Sequence, residues 1–203
     1  AELSSDLTMQ VNYQATCILA EAAKKKGIRF VFSSSCSTYG FQKQDLKIDE
    51  EGALHPLTTY AISKVKSEEA LLALKTPSWN PVILRNGTLF GYSSRMRFDL
   101  VINIFSMCST LYNEIKIFGK GNQWRPFLHV GDCARAFCFF AEKPEVRHSV
   151  YNIAHENRQV VDLIEIFKDL NPRLKVTFVE TAEPDNRDYK VSTKRMHEEG
   201  FET

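Results

Sequence analysis

The sequence predicts an α/β fold with a doubly wound, mostly parallel sheet. Long amphipathic segments alternate with short apolar runs along most of the chain, and such alternation is typical of strand–helix–strand units. The run over residues 28–32 is nearly continuous, and residues 81–85 are a second candidate of this kind, which is the pattern of strands covered by helices on both faces. We therefore expect a parallel sheet with helices packed against it.

The chain opens with an amphipathic helix followed by a buried strand. The helix is predicted over residues 7–26, and Gly27 ends it. Residues 28–32, with the sequence IRFVF, indicate a strand buried on both faces of the sheet. The apolar face of the helix, which normally packs against the core, consists of Val11, Ile18, Leu19 and Ala22.

The alternation continues after a polar stretch over residues 33–57, which has loop and turn character. Thr58 or Thr59 can cap the next helix, because a hydroxyl there accepts a hydrogen bond from the first helical turn. Further strands are predicted over residues 81–85, 115–119, 151–154 and 175–179, and further helices over 60–74, 99–112, 131–142 and 163–170.

Composition limits the classes of function. The 203 residues are 43% hydrophobic and 25% charged, with a formal net charge of +1, so nothing indicates a nucleic-acid or anionic-membrane partner. No apolar run approaches the ~20 residues that span a bilayer, and the first ten residues lack the basic and apolar regions of a signal peptide. We expect a cytoplasmic protein with reduced thiols and no metal site, since no pair of cysteines has metal-ligand spacing. The cysteines are Cys17, Cys36, Cys108, Cys133 and Cys138.

Three polar residues are predicted to converge at one end of the sheet. Ser35 ends the first strand, and ligands of open parallel sheets bind beyond the carboxyl ends of the strands. Tyr60 and Lys64 are four residues apart on a predicted helix and so share one face. A nearby ammonium lowers the pKa of a phenol, so Tyr60 could remove a hydroxyl proton as hydride leaves the same carbon. Ser35 would orient the substrate oxygen.

Five segments of the sequence resemble motifs of one enzyme family. FVFSSSCSTYG (Phe30–Gly40), TTYAISKVKSEE and LRNGTLFG (Leu84–Gly91) resemble the strand, catalytic-helix and LRxxNVYG motifs of the extended short-chain dehydrogenase/reductases, the NAD-dependent epimerase/dehydratase family. VNYQATCILAEAAKKKG and IFGKGNQWRPFLHVGDCARAF (Ile117–Phe137) resemble two further motifs. The likeness covers nearly the whole chain in the family's order.

The resemblance implies specific roles for residues of this chain. Ser35, Tyr60 and Lys64 fall on the catalytic triad, and Tyr60 and Lys64 would also bind NAD or NADP, Lys64 through the ribose. Arg125, and more loosely Arg187, fall on arginines that bind the pyrophosphate of a nucleotide sugar, which suits a planar guanidinium. The remaining matches are Asn103 on a substrate-lobe asparagine, Thr88 where many relatives have a substrate-binding asparagine, and His129 and Asp132 at the turn into a helix.

The resemblance also implies an architecture. Residues 1–92 would form the C-terminal part of the Rossmann-type NAD(P)-binding domain, and residues 93–203 mainly a small α/β substrate-binding lobe, with some segments returning to the sheet. None of the nine glycines forms the family's GxxGxxG fingerprint, so we expect the glycine-rich phosphate loop to be absent from this chain. Relatives commonly form homodimers through a four-helix bundle, and the same is expected here.

One departure from the family narrows the reaction. Sugar-nucleotide dehydratases carry an Asp-Glu pair directly after the catalytic Ser or Thr, where this chain has Cys36 and Ser37. Neither side chain can act as a carboxylate, so dehydration is disfavoured, and Cys36 is interpreted as a buried packing residue. The leading hypothesis is epimerisation of a nucleotide-activated sugar through a keto intermediate. The alternatives are reduction of a nucleotide-linked keto sugar and a non-catalytic fragment or regulatory module of the same fold.

Overall fold

The computed structural model describes residues 4–42, 46–180 and 187–203 and shows a mixed α/β fold with parallel strands. Its α-helices are α1 (Ser5–Met9), α2 (Ala15–Lys25), α3 (Thr59–Ala73), α4 (Val101–Tyr112), α5 (Val130–Glu142), α6 (Leu163–Leu170) and α7 (Lys194–Glu198). Its strands are β1 (Val31–Ser35), β2 (Lys47–Ile48), β3 (Val82–Asn86), β4 (Thr88–Phe90), β5 (Glu114–Phe118), β6 (Trp124–His129), β7 (Val150–Ile153), β8 (Glu156–Gln159), β9 (Lys175–Val179) and β10 (Lys190–Val191). A π-helical segment (Gln10–Gln14) joins α1 to α2, and a 3₁₀ turn (Cys36–Tyr39) follows β1.

The strands that position the site are parallel. β3 lies between β1 and β7, and Ser35 at the end of β1 is the register partner of Asn86 at the end of β3. All five residues of β3 are buried, as its apolar sequence predicts. Because β7 comes from the second half of the chain and completes this sheet, segments from both sides of residue 92 share it. The domain division at that residue stays a prediction.

The first predicted helix is present, but its predicted apolar face is wrong. Val11, Ile18 and Leu19 are each at least 60% exposed, and Ala22 is exposed as well. The buried side chains of α1 and α2 are Thr8, Thr16 and Ala20. Small and hydroxyl-bearing residues face inward because this face contacts α3 closely. The Asn12 amide donates to the Ser63 hydroxyl at 3.1 Å, and the Asn12 carbonyl accepts from the Ser67 hydroxyl at 3.0 Å.

The first strand is displaced from its predicted position and is buried on one face only. It begins at Val31 instead of Ile28 and includes the three serines that follow the apolar run. Ser33 is exposed, whereas Phe32 and Ser34 are buried. Ser34 can be buried inside the sheet because its hydroxyl donates a hydrogen bond to Glu68. The prediction of burial on both faces is therefore wrong for β1.

Most later elements agree with the prediction, and several short strands were not predicted. α6 and β9 have the predicted bounds, and α3, α4, α5, β3, β5 and β7 differ by one or two residues. β4 pairs parallel with β6, β6 pairs antiparallel with β8, β5 pairs parallel with β9, and β2 with β10. Residues of β4, β5 and β6 line the second wall of the cleft described below.

Two buried apolar clusters stabilise these layers. One packs α5 against the parallel sheet through residues such as Phe140, Leu84 and Tyr151. The other joins α4 and α6 to β5 through Phe105, Phe167 and other buried side chains. All five cysteines are free. Among the described residues, no helix is long and apolar enough to cross a membrane, and no group of acidic, His or Cys side chains could hold a metal ion.

Gly40 and Gly27 offer a matched test of the turn that follows β1. Both have a φ of +64°, but a Cβ at Gly40 would lie 1.7 Å from the His55 carbonyl oxygen, whereas a Cβ at Gly27 would meet nothing within 4 Å. We expect Gly27→Ala to lower the free energy of unfolding by about 1–2 kcal/mol, the cost of a left-handed backbone. Gly40→Ala should lower it by more than about 3 kcal/mol, because the backbone must also move.

Urea unfolding of both variants, monitored by circular dichroism, measures the two losses. Equal losses would show that the close approach of Gly40 to His55 contributes nothing to stability.

Candidate active site

Ser35 lies where β1 ends and the 3₁₀ turn begins. Its backbone is extended, with φ −148° and ψ 141°, and its hydroxyl accepts a hydrogen bond from the Ser37 N–H at 3.2 Å. The side chain thus caps the turn and is fixed at the carboxyl end of a parallel strand. Ligands of open α/β sheets bind at this end.

α3 places Tyr60 and Lys64 over that strand end. Thr58 caps the helix, because its hydroxyl accepts from the Ala61 N–H at 3.2 Å. Tyr60 lies in the first turn with 37% of its surface exposed, and its phenol lies beside the Ser35 side chain. The cap therefore fixes the start of the helix directly beside the catalytic candidate.

Lys64 is half-buried under Tyr60. Its ammonium donates to the Ser33 carbonyl oxygen at 2.7 Å and lies 5.6 Å from the centre of the Tyr60 ring and 4.7 Å from that of Phe32. The structure thus brings Ser35, Tyr60 and Lys64 together. Their assignment as catalytic residues stays a prediction at this point.

The protonation of this group differs from the sequence-based expectation. Burial raises the pKa of the Tyr60 phenol above its ordinary value, although the hydrogen bond with Ser35 and the charge of Arg97 oppose the shift. Burial lowers the pKa of Lys64, against the charge of Glu68. Burial therefore outweighs the effect expected of Lys64, and the pKa of Tyr60 is raised in the protein chain by itself. Tyr60 is a neutral phenol at neutral pH.

A buried ion pair directly behind the site was not predicted. Arg85 in β3 and Glu68 in α3 make a salt bridge of 2.6 Å, and both side chains are almost fully buried. The sequence contains a signal for it: an arginine in an otherwise apolar strand needs a buried partner. Glu68 also lies four residues after Lys64 and so shares its helical face.

The predicted binding residues line one large cleft. The cleft has a volume of about 1910 Å³ and extends from the ends of β1 and β3 to α4 and β6. Nucleotide sugars are large, dianionic ligands, and this cleft is larger than most pockets for small molecules. The predicted site residues that line it are Ser35, Tyr60, Thr88, Asn103, Arg125 and Arg187.

The two predicted phosphate-binding arginines are neighbours. Arg125 in β6 is only 6% exposed, and its guanidinium donates to the Trp124 carbonyl oxygen at 2.8 Å and to the Arg187 carbonyl oxygen. It also lies 5.8 Å from the ring of Tyr189. Arg187 is exposed at the cleft wall. Their contact with a pyrophosphate stays a prediction.

Asn103 and Thr88 shape the other side of the cleft. Asn103 in α4 accepts from the Gly91 N–H at 3.2 Å and donates to the Arg97 carbonyl oxygen at 3.1 Å, so its amide holds the loop between β4 and α4. Thr88 is the first residue of β4 and is half-buried. Substrate binding by either residue stays a prediction. Arg97 lies in that loop, and its positive charge acts to lower the pKa of Tyr60. This residue was not predicted.

Cys36 and His129 have structural positions. Cys36 is buried, donates through its sulfur to the Arg85 carbonyl oxygen at 3.1 Å, and has a pKa raised by burial. It is the packing residue that the sequence predicts. His129 caps α5, because its Nδ1 accepts from the Gly131 N–H at 3.2 Å. Asp132 pairs with Arg135 one turn later at 2.7 Å.

Comparison with known proteins identifies similar sequences and folds. The model of the "NAD dependent epimerase/dehydratase family" matches residues 2–154. A UDP-glucose epimerase of Bacillus subtilis (strain 168), described as uncharacterized, is 32% identical over 165 residues, 80% of this chain and 51% of the relative. The GDP-6-deoxy-D-mannose reductase of Pseudomonas aeruginosa is 29% identical over 171 residues, 80% of this chain and 56% of the reductase.

A solved structure extends these findings to the fold. The complex of MoeE5 with UDP-glucuronic acid and NAD has a TM-score of 0.79 and 26% identity with this chain, and covers 95% of this chain and 65% of MoeE5. The chain spans about half the length of the two relatives above.

The raised pKa of Tyr60 can be measured directly. The ultraviolet absorbance of the protein minus that of its Tyr60→Phe variant isolates one phenol during a pH titration. We expect this phenol to ionise above about pH 10, the ordinary value of tyrosine, because burial disfavours the phenolate. N-acetyl-tyrosinamide supplies the reference. A midpoint below the reference would contradict the protonation described here.

Proposed function

Because the chain belongs to the NAD-dependent epimerase/dehydratase family, we propose that it carries the catalytic half of an enzyme that epimerises a nucleotide-activated sugar. One observation carries the proposal: Ser35, Tyr60 and Lys64 meet at the carboxyl ends of parallel strands, and Ser35 and Tyr60 line a cleft large enough for a nucleotide sugar. Family members are enzymes, and solved relatives hold NAD or NADPH. NAD(P) is therefore the cofactor by resemblance.

The residues of the site fit this cofactor. Lys64 has three N–H donors, of which the Ser33 carbonyl takes one, so the ammonium can also hold the hydroxyl groups of a ribose. Tyr60 lies beside it at the strand ends, where dinucleotides bind in such sheets. When bound, the nicotinamide ring supplies the acceptor and donor of hydride.

Tyr60 is proposed to move the proton that accompanies the hydride. Its Oη would take the proton of a ring hydroxyl as that carbon becomes a ketone, and return a proton when the ketone is reduced. Ser35 would hold the same oxygen by a hydrogen bond. If the keto sugar rotates in the cleft between the two steps, hydride returns to its opposite face and the configuration of the carbon is inverted.

The neutral phenol described above favours reduction of the ketone and disfavours oxidation of the ring hydroxyl. A phenol of raised pKa is a ready proton donor to a ketone but a poor base. The positive charges of Lys64 and of an oxidised nicotinamide would both favour the phenolate. We therefore expect Tyr60 to become a base only in the oxidised holoenzyme.

The nucleotide would lie along the cleft away from this group. Arg125 and Arg187 supply two positive charges for its pyrophosphate, and arginine binds phosphate oxygens in a planar, bidentate manner. Thr88 and Asn103 are proposed to contact the sugar or base. Elimination of water remains disfavoured, because Cys36 is buried with a raised pKa and Ser37 has no carboxylate.

Reduction of a nucleotide-linked keto sugar is the second candidate. The reductase of Pseudomonas aeruginosa is nearly as similar to this chain as the Bacillus epimerase, and the same three residues would serve both reactions. The two differ in redox balance: an epimerase returns its hydride, whereas a reductase consumes one reduced nicotinamide for each product.

Substitution of Tyr60 tests the proposed function in the full-length protein. We expect Tyr60→Phe to lower turnover of UDP-, GDP- or dTDP-sugars by about 10³-fold, because the proton carrier is lost, while binding of NAD(H) by calorimetry changes little. Tyr92→Phe is the matched control, since Tyr92 is 85% exposed. Chromatography detects the product, and nicotinamide absorbance distinguishes the epimerase from the reductase.

Two outcomes would overturn the assignment. Unchanged turnover in Tyr60→Phe would remove Tyr60 from the mechanism. If the wild type neither binds nor converts any of these sugars or cofactors, the non-catalytic alternative is favoured.

We also propose that the protein forms a homodimer and that it is cytoplasmic. The outward face of α2 is apolar, with Ile18 and Leu19 more than half exposed, and Ile62 and Leu72 of α3 are partly exposed. Exposed apolar helices of this kind are suited to a four-helix interface between two copies. The five free cysteines fit a reducing compartment.

Sedimentation velocity of two charge variants tests the dimer. Ile18→Glu should convert a dimer to a monomer at micromolar concentration, because a carboxylate cannot be buried unpaired at an apolar interface. Leu170→Glu alters a leucine on α6 that is even more exposed than Ile18 and should leave the mass unchanged. A monomeric wild type, or a dimeric Ile18→Glu variant, would contradict this interface.

A further inference from the structure

The helix that carries Tyr60 contacts three consecutive serines of β1. Residues four apart on a helix lie on one face, and on α3 three of them face this strand. Each lies beside a different serine, and Lys64 and Glu68 make hydrogen bonds to theirs. The pairs are Tyr60 with the Ser35 hydroxyl, Lys64 with the Ser33 carbonyl and Glu68 with the Ser34 hydroxyl.

Glu68 makes the strongest of these contacts. One of its carboxylate oxygens accepts from the Ser34 hydroxyl, and Arg85 donates to the carboxylate from Nε at 3.1 Å and from a terminal nitrogen at 2.6 Å. Ser34 and Glu68 are each 2% exposed and Arg85 is 4% exposed. Charge-assisted hydrogen bonds at such depth are short and strong. Glu68 therefore connects α3 to β1 and, through Arg85, to β3.

Arg85 extends the connection to the turn that follows Ser35. Its guanidinium donates to the Tyr39 hydroxyl at 2.9 Å and to the Glu50 carbonyl oxygen at 3.1 Å. The Tyr39 hydroxyl in turn donates to the Asn152 side chain of β7 at 2.7 Å. The chain segments on both sides of the site are thus held by one buried network.

Stability alone does not explain a buried ion pair at this position. Two charges lose their hydration on burial, and well-packed apolar residues of similar volume are often equally or more stabilising. What an apolar pair cannot supply is a fixed direction, because apolar contacts are not directional. A shift of α3 along β1 would break the bonds to Ser34 and Arg85 together.

We propose that Glu68 is a positioning residue of the reaction, which fixes Tyr60 and Lys64 relative to Ser35 by holding α3 to β1 and β3. The proposal rests on the proposed function of Tyr60. Glu68 itself does not line the cleft, so it acts through the helix and not on the substrate. Small displacements of catalytic groups are sufficient to slow a reaction strongly.

Turnover by the full-length Glu68→Gln variant tests the proposal. Glutamine keeps the shape but loses the charge that fixes Arg85. We expect kcat to fall by at least about 10-fold, while KM for the nucleotide sugar changes by less than about threefold, because the cleft walls are unchanged. Glu199→Gln is the matched control: Glu199 is also a buried carboxylate, bound by Tyr151 at 2.7 Å and Lys143 at 3.4 Å, and lies outside the cleft.

A triple variant separates positioning from stability. Ser34→Ala/Glu68→Leu/Arg85→Met removes the charges and the unpaired hydroxyl together. Because apolar replacement of a buried pair is tolerated, its melting temperature should lie within about 4 °C of the wild type. Its kcat should nevertheless stay as low as that of Glu68→Gln. A triple variant with wild-type turnover would overturn the proposal, as would equal losses of kcat in Glu68→Gln and Glu199→Gln.

Hydrogen exchange supplies a readout that is independent of activity. In Glu68→Gln, backbone amides of residues 59–64 should exchange faster than in the wild type, although they lie more than one turn from the substitution. Glu199→Gln should leave them unchanged. Unchanged exchange at these amides would overturn the proposal even for a protein without turnover. Loss of activity in Tyr60→Phe but not in Glu68→Gln would overturn it while leaving the proposed function intact.

Discussion

The paired hydrogen bonds between the Arg85 guanidinium and the Glu68 carboxylate hold the helix on which the whole site depends. Both groups are removed from water, where a charge without a partner would cost several kcal/mol, so neither side chain can leave the other while the protein is folded. α3, β1 and β3 consequently meet in one arrangement. Tyr60 and Lys64 lie on α3 with Glu68, and Ser35 lies at the end of β1, which pairs with the strand of Arg85.

The fold class and the site triad could be predicted from the sequence because each depends on local spacing. Apolar runs mark β3 and β5, and the i, i+4 spacing places Tyr60 and Lys64 on one face. β6 was missed because it contains Pro126, which cannot donate to a strand ladder. β1 was placed too early because serines are rare in buried strands, and only the distant Glu68 explains why Ser34 is buried.

Charge and burial were harder to predict than position. Spacing shows that Lys64 lies near Tyr60, but it does not show how much water either group loses, and burial decides the direction of both pKa shifts. Arg85 stands in an apolar run, which a sequence alone can flag, yet its partner lies in another element. The sequence therefore predicts which residues form the site. It predicts only part of their charges, burial and pKa shifts.

The π-helical segment Gln10–Gln14 has a consequence for insertions and deletions in this protein. The inward residues of the first helical stretch recur at every fourth position, at Thr8, Asn12, Thr16 and Ala20, which is wider than the 3.6-residue period of an α-helix. The wider π turn absorbs the difference. Loss of one residue there would leave 11 steps instead of 12 from Thr8 to Ala20, and a regular helix turns 11 steps through about 1100°, only about 20° beyond three full turns. A single-codon deletion in the π segment would thus leave Thr8 and Ala20 facing α3, whereas the same deletion inside α2 would rotate all preceding residues by about 100°.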